Sequence, residues 1–384
     1  MIRLAEDTID KKEMDNLAEW LKTYPRLTKG NLTIELESEF SKYLGVKYSV
    51  FVNSGSVANL AMLHTLKEIG KLKEGDVVVV PGVSWATDLA PVMQLNLTPV
   101  LCDCNLNDLS IDIEHFENII ESYHPKALLL VSVLGLVPDV DKIVRLCKQN
   151  NVILLEDICE SLGSEYKNKK LGSFGTMGTC STYFGHHIST IEGGFVFTND
   201  KELYNVLKSI RSHGWCRDLD QEEQQELIGT WDIDEFSSLF SFFYSGFNCR
   251  STDLQAFIGL GQILKLDSIV KKRAANFIQY QNLLKSSLWK PKIYEDRLIS
   301  SFAYPVIAEN RLELSKKLQS ASIETRPLIC GSLGRQPFYV KKYGAAKLKN
   351  ADKIHKYGLY VPNHPNLSLG NIKAICEIIN EGVV

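Results

Sequence analysis

No stretch of this 384-residue sequence is apolar for long enough to cross a bilayer as a helix. The longest nearly apolar run, Ala127 to Val137, is about half of the ~20 residues that a spanning helix needs. The opening MIRLAEDTIDKKEMDNL carries acids where a secretory leader would be apolar, so a cytoplasmic location is expected. An excess of either charge is also missing. Lys and Arg number 43 against 46 Asp and Glu, a formal charge of −3 with no long single-sign block, which argues against nucleic acid or a membrane surface as partner. Nine cysteines at 102, 104, 147, 159, 180, 216, 249, 330 and 376 include no C-x-x-C pair, so free thiols are expected. The closest pair, Cys102-Asp103-Cys104, lacks two further ligands at zinc spacing, and no metal is expected.

What is present is the balance of a globular protein, with 45% hydrophobic and 23% charged residues and length enough for two or three domain-sized units. From residue 50 to 200, short β-branched and aliphatic runs alternate with helical periodicity, which predicts an α/β core. The runs are KYSVFVN, DVVVVPG, PVLCDCN, ALLLVSV, NVILLED, TCSTYF and GFVFTND. Ala58, Met62, Thr65 and Ile69 give the helix after the first run one packing flank. The acidic, Gln-rich stretch from Asp218 to Glu235 reads as a mobile loop, and KLDSIVKKRAANFIQYQNLL as a long amphipathic helix. A large domain over residues 1–264 and a smaller C-terminal α+β domain over 265–384 are expected.

Three segments can carry chemistry. Asn53-Ser54-Gly55-Ser56 stands between a strand and a helix start, where free amides and the helix dipole suit either a phosphate or plain capping. Leu154-Leu155-Glu156-Asp157 ends an apolar strand in two carboxylates, at the strand edge where α/β sheets gather ligands. An acid there either caps the next helix or meets a cation, and a pyridinium nitrogen would be one. Gly185-His186-His187-Ile188 places two of the eight histidines side by side. Strand neighbours point to opposite faces, so a shared metal is disfavoured; if one faces a ligand the other faces elsewhere, and either suits general acid–base work or a satisfied structural place.

These segments, with Val80-Pro81 through Ser84-Trp85, Glu192-Gly193-Gly194, Arg211 to Arg217 and Gly246-Phe247-Asn248-Cys249-Arg250-Ser251-Thr252-Asp253-Leu254-Gln255-Ala256, resemble the DegT/DnrJ/EryC/StrS sugar aminotransferases. That family comprises fold-type I pyridoxal-phosphate enzymes acting on nucleotide-linked keto sugars, and the likeness runs along most of the chain. It implies a mixed, mostly parallel sheet sandwiched by helices, and a homodimer that shares its active sites. By position it implies Gly55, Ser56 and Ser181 on the cofactor phosphate, with Asn248 reaching it from a second subunit. It further implies Trp85 stacked on the ring, Asp157 on the ring nitrogen and Glu160 on the ring-hydroxyl side. His213, Arg217, Arg250 and Arg326 become candidates for the sugar diphosphate, since guanidinium forks suit phosphate oxygens.

One departure decides the chemistry that the resemblance implies. Six residues before Glu192, where those aminotransferases carry the lysine that attaches the cofactor, stands His186, and no lysine lies between 171 and 200. Pyridoxal 5′-phosphate, or its pyridoxamine form, is then held non-covalently. The same departure marks the dehydratase branch, in which glutamate supplies the amino group and the C3 hydroxyl of a nucleotide-linked 4-keto-6-deoxy hexose is eliminated. The nearest likeness is to members acting on GDP-4-keto-6-deoxy-D-mannose in the formation of colitose for lipopolysaccharide O-antigen. His186 would be both base and acid, and ammonia would be released. Iron–sulfur relatives are disfavoured, because RDLDQEEQQE follows Cys216 and offers no cluster ligand. A nucleotide-sugar aminotransferase and a non-catalytic sugar-binding member of the fold stay open.

Overall fold

The computed structural model describes residues 1–383. The seven runs form one sheet: β1 (Tyr48–Val52), β2 (Val77–Pro81), β3 (Thr98–Cys102), β4 (Ala127–Val131), β5 (Ile153–Asp157), β6 (Met177–Ser181) and β7 (Gly194–Thr198). Their order is β1-β7-β6-β5-β4-β2-β3. From β3 to β6 the strands are parallel, and β7 runs antiparallel to both β6 and β1. Six carboxyl ends therefore lie along one edge, which carries the loops after Val52, Pro81, Asp157 and Ser181.

The period-two alternation of strands divides the core. Val78 and Val80 of β2 and Leu129 of β4 face the main core, whereas Val79, Leu128 and Leu130 pack with Phe116, Ile119, Ile143 and Cys147 of two helices on the other side. Both faces are covered, so β4 (ALLLV) is buried at every position. The helix Gly55–Glu68 buries Ala58, Met62 and Thr65, the flank expected from their spacing.

The long helix expected near residue 265 begins earlier. It runs from Asp253 to Leu283, contacting the helix Asn31–Leu44 of the sheet layer and the C-terminal helix Leu369–Gly382, so residues 264 and 265 lie in mid-helix. Beyond it a small sheet, β8 (Ala303–Ile307), β9 (Arg326–Pro327) and β10 (Gly358–Pro362), has the order β8-β10-β9.

The Asp218–Glu235 stretch is not the loop its composition predicts. It holds the helices Gln221–Thr230 and, from its last residue, Glu235–Ser238, capped by Asp220 and Asp234. Neither helix buries a residue, so no apolar stripe betrays them in the sequence. Among the described residues all nine cysteines are free, no cluster of His, Cys, Asp or Glu is disposed to hold a metal, and no helix is long and apolar enough to cross a membrane.

Candidate active site

The residues expected to act together do meet, at the carboxyl edge of the sheet. Asp157 closes β5 and is 4% exposed. Its Oδ1 accepts the Cys159 N–H at 2.8 Å in a tight turn, not as a helix cap. Its Oδ2 accepts from Asn59 Nδ2 at 2.8 Å, and Asn59 Oδ1 accepts from Thr179 Oγ1 of β6 at 2.6 Å. The neighbouring Glu156 points the other way, as strand alternation requires. It accepts the backbone N–H groups of Gly172, Phe174 and Gly175 at 2.6–2.8 Å and is structural.

Gly55 opens its helix against the end of β6. A Cβ on Gly55 would come within 2.6 Å of the Ser181 Cβ, so only glycine lets the helix head approach this strand end. Ser54 Oγ accepts the Val57 N–H at 3.2 Å, and the Gly55 and Ser56 amides lie in the first turn, which has no intrahelical acceptors. Ser56 Oγ lies 3.2 Å from Thr87 Oγ1, next to Trp85, whose side chain is 54% exposed on the rim.

The two histidines part company. His187 is fully buried, with Nε2 3.0 Å from both the carbonyl oxygen and the hydroxyl of Ser300. His186 is half-buried on the opposite side, its ring centroid 5.3 Å from Phe302, with the charge of Asp157 and the main chain of Cys159 acting on it. Its Nδ1 is buried without a hydrogen-bond partner. Desolvation, and secondarily the Arg273 cation, outweigh the attraction of Asp157 and bring the imidazole down to about 4. The neutral form expected from the sequence is thus held more firmly than an ordinary imidazole would be. Glu160 is moved the other way. Burial raises its carboxyl to about 8 although Oε2 accepts the Leu134 N–H at 2.6 Å, so at neutral pH it is mostly a neutral acid able to donate.

A second group gathers at residues 212–250. His213 Nε2 lies 3.3 Å from Arg250 Nη2, and Arg250 Nε donates to the exposed Asn248 Oδ1 at 3.1 Å. The Arg217 guanidinium sits over the rings of Trp215 at 4.4 Å and Phe240 at 4.6 Å and donates through Nε to the Leu239 carbonyl at 2.6 Å. A backbone bridge between Val52 and Arg250 ties this group to the phosphate-loop strand. Arg326 stands apart from it on β9, exposed, 3.3 Å from Glu324 Oε1. It contacts Tyr360, whose ring meets Phe302 and through it His186.

Most of the long Gly246–Ala256 motif is structural. Asp253 accepts the Gly30 and Thr33 N–H groups at 2.7 and 3.0 Å, while Gln255 completes the cap at Thr252. The sequence reading passed over three residues. Asn59 lies inside the phosphate-loop segment, one turn into the helix. Asp88 is buried three residues after Trp85. Arg273 is a buried cation whose Nη1 and Nη2 donate to the carbonyls of Phe302 at 2.9 Å, Asn363 at 3.1 Å and His186 at 3.4 Å. Only a polar residue on an apolar helix flank marks any of them.

The chain matches the model of the DegT/DnrJ/EryC1/StrS aminotransferase family over residues 7–380. The chain belongs to that family. Among its members, a GDP-4-keto-6-deoxy-D-mannose 3-dehydratase of Yersinia pseudotuberculosis is 36% identical over 98% of both chains. A solved GDP-4-keto-6-deoxymannose-3-dehydratase carrying a trapped PLP–glutamate geminal diamine superposes with a TM-score of 0.90 at 32% identity, covering 98% of this chain and all of that one. An E. coli GDP-4-keto-6-deoxy-D-mannose-3-dehydratase with bound hydrated PLP gives 0.90 at 33% identity, over 98% and 99% of the two chains.

The site suits the cofactor that such family members bind. Asp157 is a buried carboxyl whose hydrogen-bond donors, the Asn59 amide and the Cys159 N–H, are neutral, which fits a protonated ring nitrogen. The Gly55–Ser181 approach leaves a helix head for a phosphate, and the exposed face of Trp85 is available to a ring.

Proposed function

We propose that this chain is a pyridoxal-phosphate-dependent 3-dehydratase of a nucleotide-linked 4-keto-6-deoxy hexose, acting on GDP-4-keto-6-deoxy-D-mannose with glutamate as amino donor. The observation that carries the reading is His186, an imidazole on which the Asp157 charge acts, in a segment without lysine. When bound, pyridoxal or pyridoxamine phosphate supplies the amino group that engages the sugar C4 carbonyl and an electron-withdrawing ring. Gly55, Ser56 and Ser181 hold its phosphate, Asp157 keeps its ring nitrogen protonated, Trp85 covers one ring face, and Glu160 donates toward the ring hydroxyl.

His186 does the proton work. Held neutral by burial, it accepts a proton at its ring nitrogen and, as imidazolium, delivers it to the C3 oxygen as that hydroxyl departs. An imidazole depressed to about 4 is a weak base but a strong acid, so its environment favours the delivery step. No side chain of the 171–200 segment can attach the cofactor, so turnover ends with release of ammonia rather than of an aminated sugar.

His213, Arg217 and Arg250 serve the nucleotide diphosphate, with Arg326 approaching from the small sheet. The protein acts as a homodimer in the cytoplasm, and Asn248 of the partner subunit completes the phosphate end. Supporting the dimer, Trp231, Phe236, Leu239, Phe240 and Phe242 form a run of large apolar side chains more than half exposed on one chain. The large and small domains divide near residue 264, with the long helix common to both.

The test is incubation with GDP-4-keto-6-deoxy-D-mannose, pyridoxal phosphate and glutamate. A 3-deoxy product with ammonia and 2-oxoglutarate is expected, and a 4-amino sugar as main product would make the protein an aminotransferase. Borohydride treatment of the holoprotein should leave no lysine covalently labelled.

A further inference from the structure

Asp88 is a buried carboxyl at the site with no part in proton transfer or phosphate binding. It lies in the first turn of the helix Ala86–Gln94 and is 2% exposed. Its Oδ2 accepts the Trp85 N–H at 3.0 Å, closing the loop that carries the indole. Its Oδ1 accepts from Asn59 Nδ2 at 3.0 Å, and the same nitrogen donates to Asp157 Oδ2 at 2.8 Å. One amide thus joins two carboxyl groups, and Asp88 also hydrogen-bonds Asp157 directly.

The charges that act on Asp88 are those of Asp157 and Glu160, both acids. Two buried carboxyl groups in contact, with no cation between them, share a proton. Burial, and secondarily the Asp157 carboxyl, push Asp88 well above the carboxylate range, so the proton resides on Asp88.

We propose that Asp88 is a positioning residue: through its hydrogen bonds to Trp85 N–H and Asn59 it locks the Trp85 loop and the Asp157 carboxyl into one unit and so sets how tightly this chain holds its unattached cofactor. The inference rests on the pyridoxal-phosphate reading and deepens it. A covalently attached cofactor tolerates a loose floor because its bond keeps it in place. A cofactor held only by contacts depends on those contacts being formed before it arrives. Asp88 is the atom group through which the face-stacking residue and the nitrogen-pairing residue, which approach the ring from different loops, are tied together. Mutants can separate its contacts, since asparagine keeps one acceptor and a donor while alanine keeps neither.

The experiment measures the dissociation constant of pyridoxal phosphate from the apoprotein by equilibrium dialysis, for wild type, Asp88→Asn and Asp88→Ala, between pH 6 and 8. Asp88→Asn, which keeps an acceptor for Trp85 and a donor toward Asp157 but sets an NH2 group against Asn59 Nδ2, should bind between wild type and Asp88→Ala, with the wild-type pH profile. Asp88→Ala, which loses the hydrogen bonds to Trp85, Asn59 and Asp157, should bind at least about tenfold more weakly. An Asp88→Ala protein that binds like wild type would overturn the proposal, and a shifted pH profile in Asp88→Asn would overturn the neutral acid. If the alanine variant does not fold, an Asp88→Asn protein that binds like wild type overturns the proposal, since it lacks the acceptor for Asn59 Nδ2. Wild-type protein that fails to bind pyridoxal phosphate would instead sink the functional reading beneath it.

Discussion

The strand-end floor and the 212–250 rim use polar groups in opposite ways. On the floor, Asn59, Asp88, Asp157 and Thr179 are buried and spend their hydrogen bonds on one another. On the rim, His213, Arg217 and Arg250 lie half to fully exposed, and their guanidinium groups rest on aromatic faces and carbonyls rather than on carboxylates. A floor of this kind is fixed before any ligand arrives, as charge stabilisation and proton transfer require. A rim of cations without acidic partners keeps its charge for an anion. The chemistry is preorganised, and the recognition is left open.

The strongest way to break this contrast is to disable the floor without disturbing the rim. His186→Asn should lower dehydration by about 10³-fold or more, the upper part of the range for a lost general acid–base group, with cofactor affinity little changed. Product mass and a pyridoxal-phosphate binding isotherm check the two halves of that statement. Next in size is the anchor between the regions. Arg211 is buried, pairs with Glu37 and lies 3.3 Å from Asp218, fastening the rim segment to the helix Asn31–Leu44. Arg211→Met strands the buried Glu37 and should cost about 3–5 kcal/mol, read from urea unfolding.

The contrast also explains what the sequence discloses. Strands such as VVVVP and ALLLV are legible because both of their faces are buried. Asp157 and Gly55 are legible because they stand where a strand ends or a helix begins. Asp88, Asn59 and Arg273 are hidden because each sits inside a helix and acquires its meaning from a residue 29 to 98 positions away. The Gln221–Thr230 helix is hidden for the converse reason, having no buried side to print a period on the sequence. That His186 and not His187 faces Asp157 follows from Ser300, a contact 113 residues distant that no local pattern contains.

Proton linkage should sharpen the contrast further, because the floor holds groups displaced in both directions. His186 and His187 are neutral in the folded chain, mainly through burial, whereas in the unfolded chain they protonate near ~6.5. The unfolded state then binds more protons, so the stability they confer is complete above ~6.5 and drains as pH falls toward 4. Glu160 works in reverse. Protonated in the fold up to about 8 but ionised when unfolded, it withdraws stability as pH rises from its ordinary value to about 8. Below ~6.5 these slopes oppose one another, and above it Glu160 slopes downward together with Asp88, whose carboxyl burial also raises, each at no more than roughly 1.4 kcal/mol per pH unit. Apoprotein melts at pH 6.5 and 8 should therefore show a decline that Glu160→Gln makes shallower, and an unaltered decline would place the Glu160 carboxyl in its ordinary range.

The smallest effect belongs to the rim. Arg217 is exposed, and its cation–π contacts with Trp215 and Phe240 are worth about 0.5–1 kcal/mol each to its own placement. They hold the guanidinium still without neutralising it, so a diphosphate meets a pre-placed charge but one that water and salt still reach. Arg217→Ala should accordingly raise KM for the nucleotide sugar by about three- to tenfold and leave kcat unchanged, and the difference should shrink as salt is raised from low to 0.5 M. A fall in kcat instead would mean that Arg217 acts on the reacting end of the sugar, and the division between a chemical floor and a recognising rim would have to be redrawn through Trp215.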